Sequence, residues 1–285
     1  MKKKNLIWLI PLLVLILAAA GYCGFRLLKH GEAQKEETRA MNERIDTLTA
    51  ELHDLSAKME DLDTELWELK VRINNKERYA DLFPEEEGNY NWLALGNSIT
   101  LIHGWGRGIC STRPDNDYFG LVKAHLEEKY PKVTAFRYNF SLWEQSPDMR
   151  EHLLCLIEAF LTPSLDLVTI QLGENVSDTT TYQADLVTLI RYIQEKSPQA
   201  RIILIDDFWE AERSEIRRAA AEEAGIRFAD LHGIQGMAEY QSKAGTEYLR
   251  EDGSIAEVLE SEETHPGDAG MEAIADAVKE QLGEP

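Results

Sequence analysis

Apolar and polar residues follow three regimes along this chain. From Leu6 to Phe25 the sequence is almost uninterruptedly apolar, preceded by Lys2-Lys3-Lys4 and followed by Arg26 and Lys29. A helix of about 20 apolar residues crosses the hydrocarbon core of a bilayer. The first regime therefore predicts a single membrane anchor over residues 1–30. Basic residues stay on the cytoplasmic side, which sends everything after residue 30 across the membrane and makes the chain a single-pass protein with an extracytoplasmic domain. A cleavable signal peptide, cut near Ala18-Ala19-Ala20, is the competing reading.

In the second regime, residues 31–80, apolar positions fall at alternating spacings of four and three. Ile45, Leu52, Met59, Leu66 and Ile73 take the a positions of a heptad; Met41, Leu48, Leu55, Leu62 and Leu69 take d. Such a seam suits a parallel two-stranded coiled coil, with Lys58 facing Asp63 and Glu65 facing Lys70 between copies. At 1.5 Å per residue the stalk would be roughly 50 to 60 Å long. The expected partner is a second copy of the chain; one amphipathic helix lying on the domain is the alternative.

The third regime, residues 81–285, opens at Pro84 and alternates short apolar runs with amphipathic stretches. Strands are predicted at 92–95, 133–140, 165–172, 201–205 and 226–229, and helices at 118–129, 148–160, 182–196, 210–224 and 269–282. Strands separated by helices predict a three-layer α/β/α domain around a five-stranded parallel sheet. Functional residues then belong at the carboxyl ends of the strands.

Charge narrows the function. A formal net charge of -21 leaves no basic footprint for nucleic acid. Cys23, Cys110 and Cys155 form neither a CxxC pair nor a cluster with histidine, so no metal site is expected. Cys110 and Cys155 could pair if exported, but Cys155 inside an apolar run reads as a core thiol.

Three polar groups fall where chemistry is expected. Gly96-Asn97-Ser98-Ile99-Thr100 leaves the first strand, Gly173-Glu174-Asn175 follows the third, and Glu262-Glu263-Thr264-His265-Pro266 precedes the last helix. Each alone also reads as turn or capping chemistry. Together and in this order, over about residues 90–283, they resemble the SGNH (GDSL-like) hydrolases. That family shows Gly-Asp-Ser, Gly-x-Asn-Asp and Asp-x-x-His-Pro on a flavodoxin-like sandwich, and the present blocks look like a bacterial Gly-Asn-Ser-Ile-Thr variant.

The resemblance implies a serine esterase without cofactor. Ser98 would be the nucleophile, His265 its base and Glu262 the carboxylate that orients the imidazole. Asn175 and the Ser98 amide would bind the oxyanion. Three positions depart from the pattern: Asn97 replaces aspartate, Glu262 replaces the aspartate three residues before the histidine, and Glu144 falls where a glycine amide normally joins the oxyanion hole. Trp105, Trp143 and Glu144 are candidate substrate contacts. Asp206 and Asp207 read better as caps of the next helix. An O-acyl group on a cell-wall or other carbohydrate is the expected substrate, with lysophospholipase, thioesterase and acyl-transfer activities open. A glycan-binding or scaffold protein of the same fold is the rival.

Overall fold

The computed structural model describes residues 4–102, 105–250 and 252–283, without the side chains of residues 4–14 and 16. Half of the apolar run predicted as a membrane anchor therefore lies outside the described side chains. Among the described residues no helix is long and apolar enough to cross a membrane.

Two compact units divide the chain, Met1–Glu65 and Leu66–Pro285. The first is built on helix α1 (Lys4–Tyr79). Its seam residues Met41, Ile45, Leu48, Leu52, Leu55, Met59 and Leu62 are all exposed, since a lone helix offers them nothing to pack on. Lys58, predicted to face Asp63 of another copy, pairs within the helix with Asp54 at 2.6 Å.

The second unit starts inside the stretch predicted as stalk, because the last turns of α1 bind the domain. Arg72 Nε donates to Glu158 Oε2 at 2.8 Å and Asn75 Nδ2 to the Leu156 carbonyl at 3.1 Å. The Tyr79 ring meets that of Phe160 edge-on at 4.7 Å.

Five parallel strands, β1 (Asn89–Gly96), β2 (Lys132–Asn139), β3 (Leu167–Gln171), β4 (Arg201–Ile205) and β5 (Arg227–Ala229), lie in the order β2-β1-β3-β4-β5. Side chains alternate across a strand, so each central strand feeds two cores. Leu93, Leu95, Val168, Ile170, Ile202 and Leu204 enter one, under α5 (Tyr182–Lys196) and α6 (Ala211–Ala224). Trp92, Ala94, Leu167, Ile203 and Ile205 enter the other, under α2 (Tyr118–Lys129) and α7 (Asp268–Leu282). Burial on both faces explains why β1 reads as a nearly continuous apolar run. The winding reverses between β1 and β3, and the crevice beyond that reversal is where open α/β sheets hold their ligands.

The helix predicted at 148–160 is not continuous. Only Arg150–Leu153 (α4) is α-helical, flanked by 3-10 turns at Pro147–Met149, Leu154–Leu156 and Glu158–Phe160. Leu153, Leu154, Cys155, Ile157 and Phe160 are all buried. A regular helix would turn some of these apolar neighbours to water; the broken path keeps them inside. Unpredicted elements are α3 (Ser141–Gln145) and the hairpin of β6 (Glu247–Leu249) with β7 (Ile255–Glu257). Cys110 and Cys155 are buried free thiols and do not pair.

Candidate active site

At the carboxyl end of β1 the backbone turns too tightly for a side chain. A Cβ on Gly96 would lie 1.8 Å from Thr100 Oγ1. Asn97, fully buried, accepts the Ile99 N–H on Oδ1 at 3.0 Å and so pins the turn that carries Ser98. Ser98 is half-buried; its carbonyl accepts from the Ile109 amide at 2.8 Å. Among the described residues its hydroxyl and its own N–H have no hydrogen-bond partner, which leaves one free to attack and the other free to donate.

The second block, Gly173-Glu174-Asn175, reaches the same edge after β3. Gly173 has φ +132°, and a Cβ there would come within 1.9 Å of Tyr182 Oη. Asn175 is exposed, and its Nδ2 donates to Glu144 Oε2 at 2.7 Å. The Glu144 carboxylate also accepts from Asn97 Nδ2 at 3.0 Å and from the Gly173 amide. Glu144, named as a substrate contact, is only 2% exposed and is spent on these bonds. It joins the first and second blocks and does not face solvent.

Behind them charge is sealed in. Arg217 is fully buried; its Nη2 lies 2.9 Å from Glu174 Oε2 and 3.4 Å from Asp207 Oδ2. Its Nε donates to Tyr182 Oη at 3.1 Å and its Nη1 to the Ile205 carbonyl at 2.9 Å. Burial raises the Glu174 pKa against the pull of Arg217, with Asp207 and Glu144 adding to the rise. Burial also opposes the charge of Asp207, but Arg217 and Arg213 more than offset it, and its pKa falls. Asp207 Oδ1 accepts the Trp209 and Glu210 amides at 2.8 Å; both precede α6, whose N-cap Glu210 carries no side-chain cap, so Asp207 fixes the loop leading into the helix and does not cap it as expected.

His265 sits on the loop before α7. Its Nδ1 donates to the Glu262 main-chain carbonyl at 2.8 Å, which puts the proton on Nδ1 and leaves the Nε2 lone pair available. Burial lowers its pKa, partly countered by Glu262. The carboxylate expected to orient the ring does not touch it. Glu262 Oε2 instead accepts the Leu259 amide at 2.9 Å, because the tight turn from Leu259 brings that amide nearer than the imidazole. The same Glu262 carbonyl receives the Cys110 thiol at 3.3 Å. Burial, then Glu262, pushes the Cys110 pKa up to about 12, so it remains a neutral thiol.

Neither predicted tryptophan offers a substrate surface. Trp105, 8% exposed, stacks on Tyr248 with ring centroids 3.6 Å apart, and Arg107 lies over both rings. Trp143, 1% exposed, packs between Phe140 and Tyr182 under the Arg150 guanidinium. Trp209 is the aromatic at the site. Its ring stands edge-to-face to His265 at 5.3 Å and 88°, and its Nε1 donates to the Thr264 carbonyl at 2.8 Å. Its place at the end of β4 was the available signal, but nothing in the sequence tied it to a loop 55 residues on.

The sequence profile of the GDSL-like lipase/acylhydrolase family matches residues 94–273, from within β1 to the start of α7, and the chain belongs to that family. It is the SGNH group that the three blocks resemble. Solved structures similar to this chain include an acetylxylan esterase from Geobacillus stearothermophilus, 18% identical with TM-score 0.46, covering 69% of this chain and 95% of its own. A phospholipase A1 from Streptomyces albidoflavus NA297 is 15% identical with TM-score 0.45, covering 67% and 99%. An alpha/beta hydrolase from the metagenome of Lake Arreo, Spain, is 16% identical with TM-score 0.45, covering 68% and 95%. No curated protein matches the chain.

Proposed function

We propose that this protein is a serine carboxylic-ester hydrolase. Ser98 attacks the ester carbonyl, and His265 Nε2 takes the hydroxyl proton and returns it to the leaving alcohol. The Glu262 main-chain carbonyl holds the tautomer. The Ser98 amide and the free Nδ2 proton of Asn175 receive the developing oxyanion. Water then cleaves the acyl-serine with the same base. The observation that carries this reading is the pairing of chemical states: an unshared hydroxyl and amide on Ser98, and an imidazole whose Nδ1 proton is already committed.

Labelling of the purified protein with a fluorophosphonate tests it, since only an activated serine reacts. Adduct on Ser98, abolished in Ser98→Ala, is the expected result. No adduct and no hydrolysis of a small acetyl ester would leave a glycan-binding or scaffold domain, a reading favoured by the carboxylate of Glu144 lying beside Asn175.

The apolar run after Lys2-Lys3-Lys4 supports a membrane tether with the domain extracytoplasmic, and that location supports an O-acyl, foremost O-acetyl, group on a carbohydrate or wall polymer as substrate. The uninterrupted a and d seam supports a parallel homodimer. The charges at its g positions, Arg44, Glu51, Lys58, Glu65 and Arg72, read the same from either end. A fully overlapped antiparallel pair would set like against like, whereas a parallel pair sets Lys58 on Asp63 and Glu65 on Lys70.

A further inference from the structure

Two of this chain's departures from the family pattern meet in space. Asn97 stands where the pattern has aspartate, Glu144 where it has glycine, and Asn97 Nδ2 donates to Glu144 Oε1 at 3.0 Å. We propose that they are one exchange, in which the carboxylate has moved from position 97 to position 144 and acts there as a positioning residue for the oxyanion donor Asn175. The inference rests on the esterase reading above.

Chemistry at both ends favours the exchange. Asn97 Nδ2 lies between two carboxylates, Glu144 at 3.0 Å and Glu174 at 2.8 Å. An aspartate there would add a third negative group to a buried cluster, whereas an amide bridges the two. A glycine at 144 would in turn remove the acceptor of four donors: Asn97 Nδ2, the Gly173 amide, the Asn175 amide at 3.5 Å and Asn175 Nδ2. Asn97 and Gly173 are buried, where a donor without an acceptor is costly.

Asn175 is the exposed member of the set and has no other side-chain partner among the described residues. With one Nδ2 proton held by Glu144 Oε2 at 2.7 Å, its carboxamide cannot turn away, and the second proton stays free for the oxyanion. The charge of Glu144 opposes an oxyanion at close range, but its lone pairs are occupied by those four donors, which spread that charge. Glu144 thus works through Asn175 and touches no reacting atom.

The test is a mutant cycle in the full-length protein: Glu144→Gly, Asn97→Asp, the double variant, and Glu144→Gln as the shape-preserving control. The readouts are kcat and KM for a small acetyl ester, and thermal unfolding. Losing an oxyanion donor outright slows turnover by about a hundred- to a thousand-fold, so each single variant, which only frees the donor, should lose about ten- to a hundred-fold in kcat with KM little changed. Glu144→Gln, which keeps an acceptor oxygen, should lose less than Glu144→Gly. The double variant should recover most of the kcat and of the lost melting temperature. Single variants with unchanged kcat, or a double variant whose losses multiply, would overturn the exchange. If the wild type neither hydrolyses the ester nor takes the fluorophosphonate, the esterase reading has failed. The unfolding cycle then still decides the exchange, recovery in the double variant upholding it and additive loss overturning it.

Discussion

Two regions of this molecule invert the usual placement of side chains. Along α1 apolar groups stand in solvent, with Leu52 68% and Leu62 62% exposed. Beneath Ser98 the opposite holds: the side chains of Arg217 and Asp207 have no exposure and that of Glu174 has 2%. The domain closes its inversion with its own residues, since every buried charge there meets an opposite charge or a donor. The helix cannot do so, because no residue of the described chain covers its seam. An inversion resolved within the chain marks a site held in one geometry; one left open is the surface on which the proposed second copy would pack.

The largest effect should come at the proposed reacting groups on the same domain as the closed inversion. Ser98→Ala and His265→Ala should each remove most turnover of a small acetyl ester, on the order of a thousand-fold or more, and the double variant should be no worse than either single one. Multiplying losses would show that the two do not work as a unit.

Next comes the charge that holds the cluster together. Arg217→Met leaves Glu174 and Asp207 facing each other without their shared cation, a change that costs about 3 to 5 kcal/mol when one partner of a buried pair is removed. Chemical denaturation should show that loss at neutral pH. It should shrink in acid, where Glu174, whose pKa burial already raises, takes up its proton. A variant as stable as wild type at neutral pH would mean the cluster is not held by charge.

Breaking the open inversion should leave chemistry alone. Leu55→Glu with Leu62→Glu places carboxylates in the seam and should convert a dimeric protein to monomers in sedimentation, with kcat unchanged. Wild-type protein that sediments as a monomer at micromolar concentration would remove the partner from the comparison.

The smallest effect is in pH. Burial lowers the His265 pKa, so kcat/KM should hold in mild acid and fall only below the ordinary imidazole value of ~6.5. The sign for stability follows from the same shift: as pH falls from ~6.5 towards the lowered native value, the unfolded chain binds a proton that the folded one refuses, and stability is lost. His265→Asn should flatten that slope. An acid limb above pH 7 would contradict the burial of the ring.

How legible this was depended on whether the signal was local. The bounds of α2 and α5 follow from periodicity, and α2 also has a local cap, Asp117, which accepts from the Gly120 amide at 2.8 Å. The five strands follow from short apolar runs between turns. The segment after Pro147 was not legible, because five of its apolar residues are buried along a path that no single period describes. At the site, the order of the three blocks singled out Ser98, Asn175 and His265 as candidates. The contact of Glu262 with His265 through its carbonyl depends on a backbone turn that residue type does not reveal. Trp105 and Trp143 resembled ligand platforms in sequence, yet their places are set by Tyr248 and Arg150, distant along the chain. Glu144 looked like a defect for the same reason: its partners lie in two other blocks.

The sheet order also bears on how the protein comes to exist. Strand β1 is bonded on one side to β2 and on the other to β3, so its backbone groups wait for segments made well after it. Helix α7, which buries Met271, Ile274, Ala275 and Val278 in the same core as Trp92 and Ala94 of β1, is made after every other described element of the domain. Until it docks, the nascent domain keeps an open greasy face, and chains cut short before residue 268 should aggregate and not persist as soluble intermediates. Because His265 immediately precedes that helix, the proposed base arrives with the closing element, and a partly made chain carries a serine that has nothing to arm it.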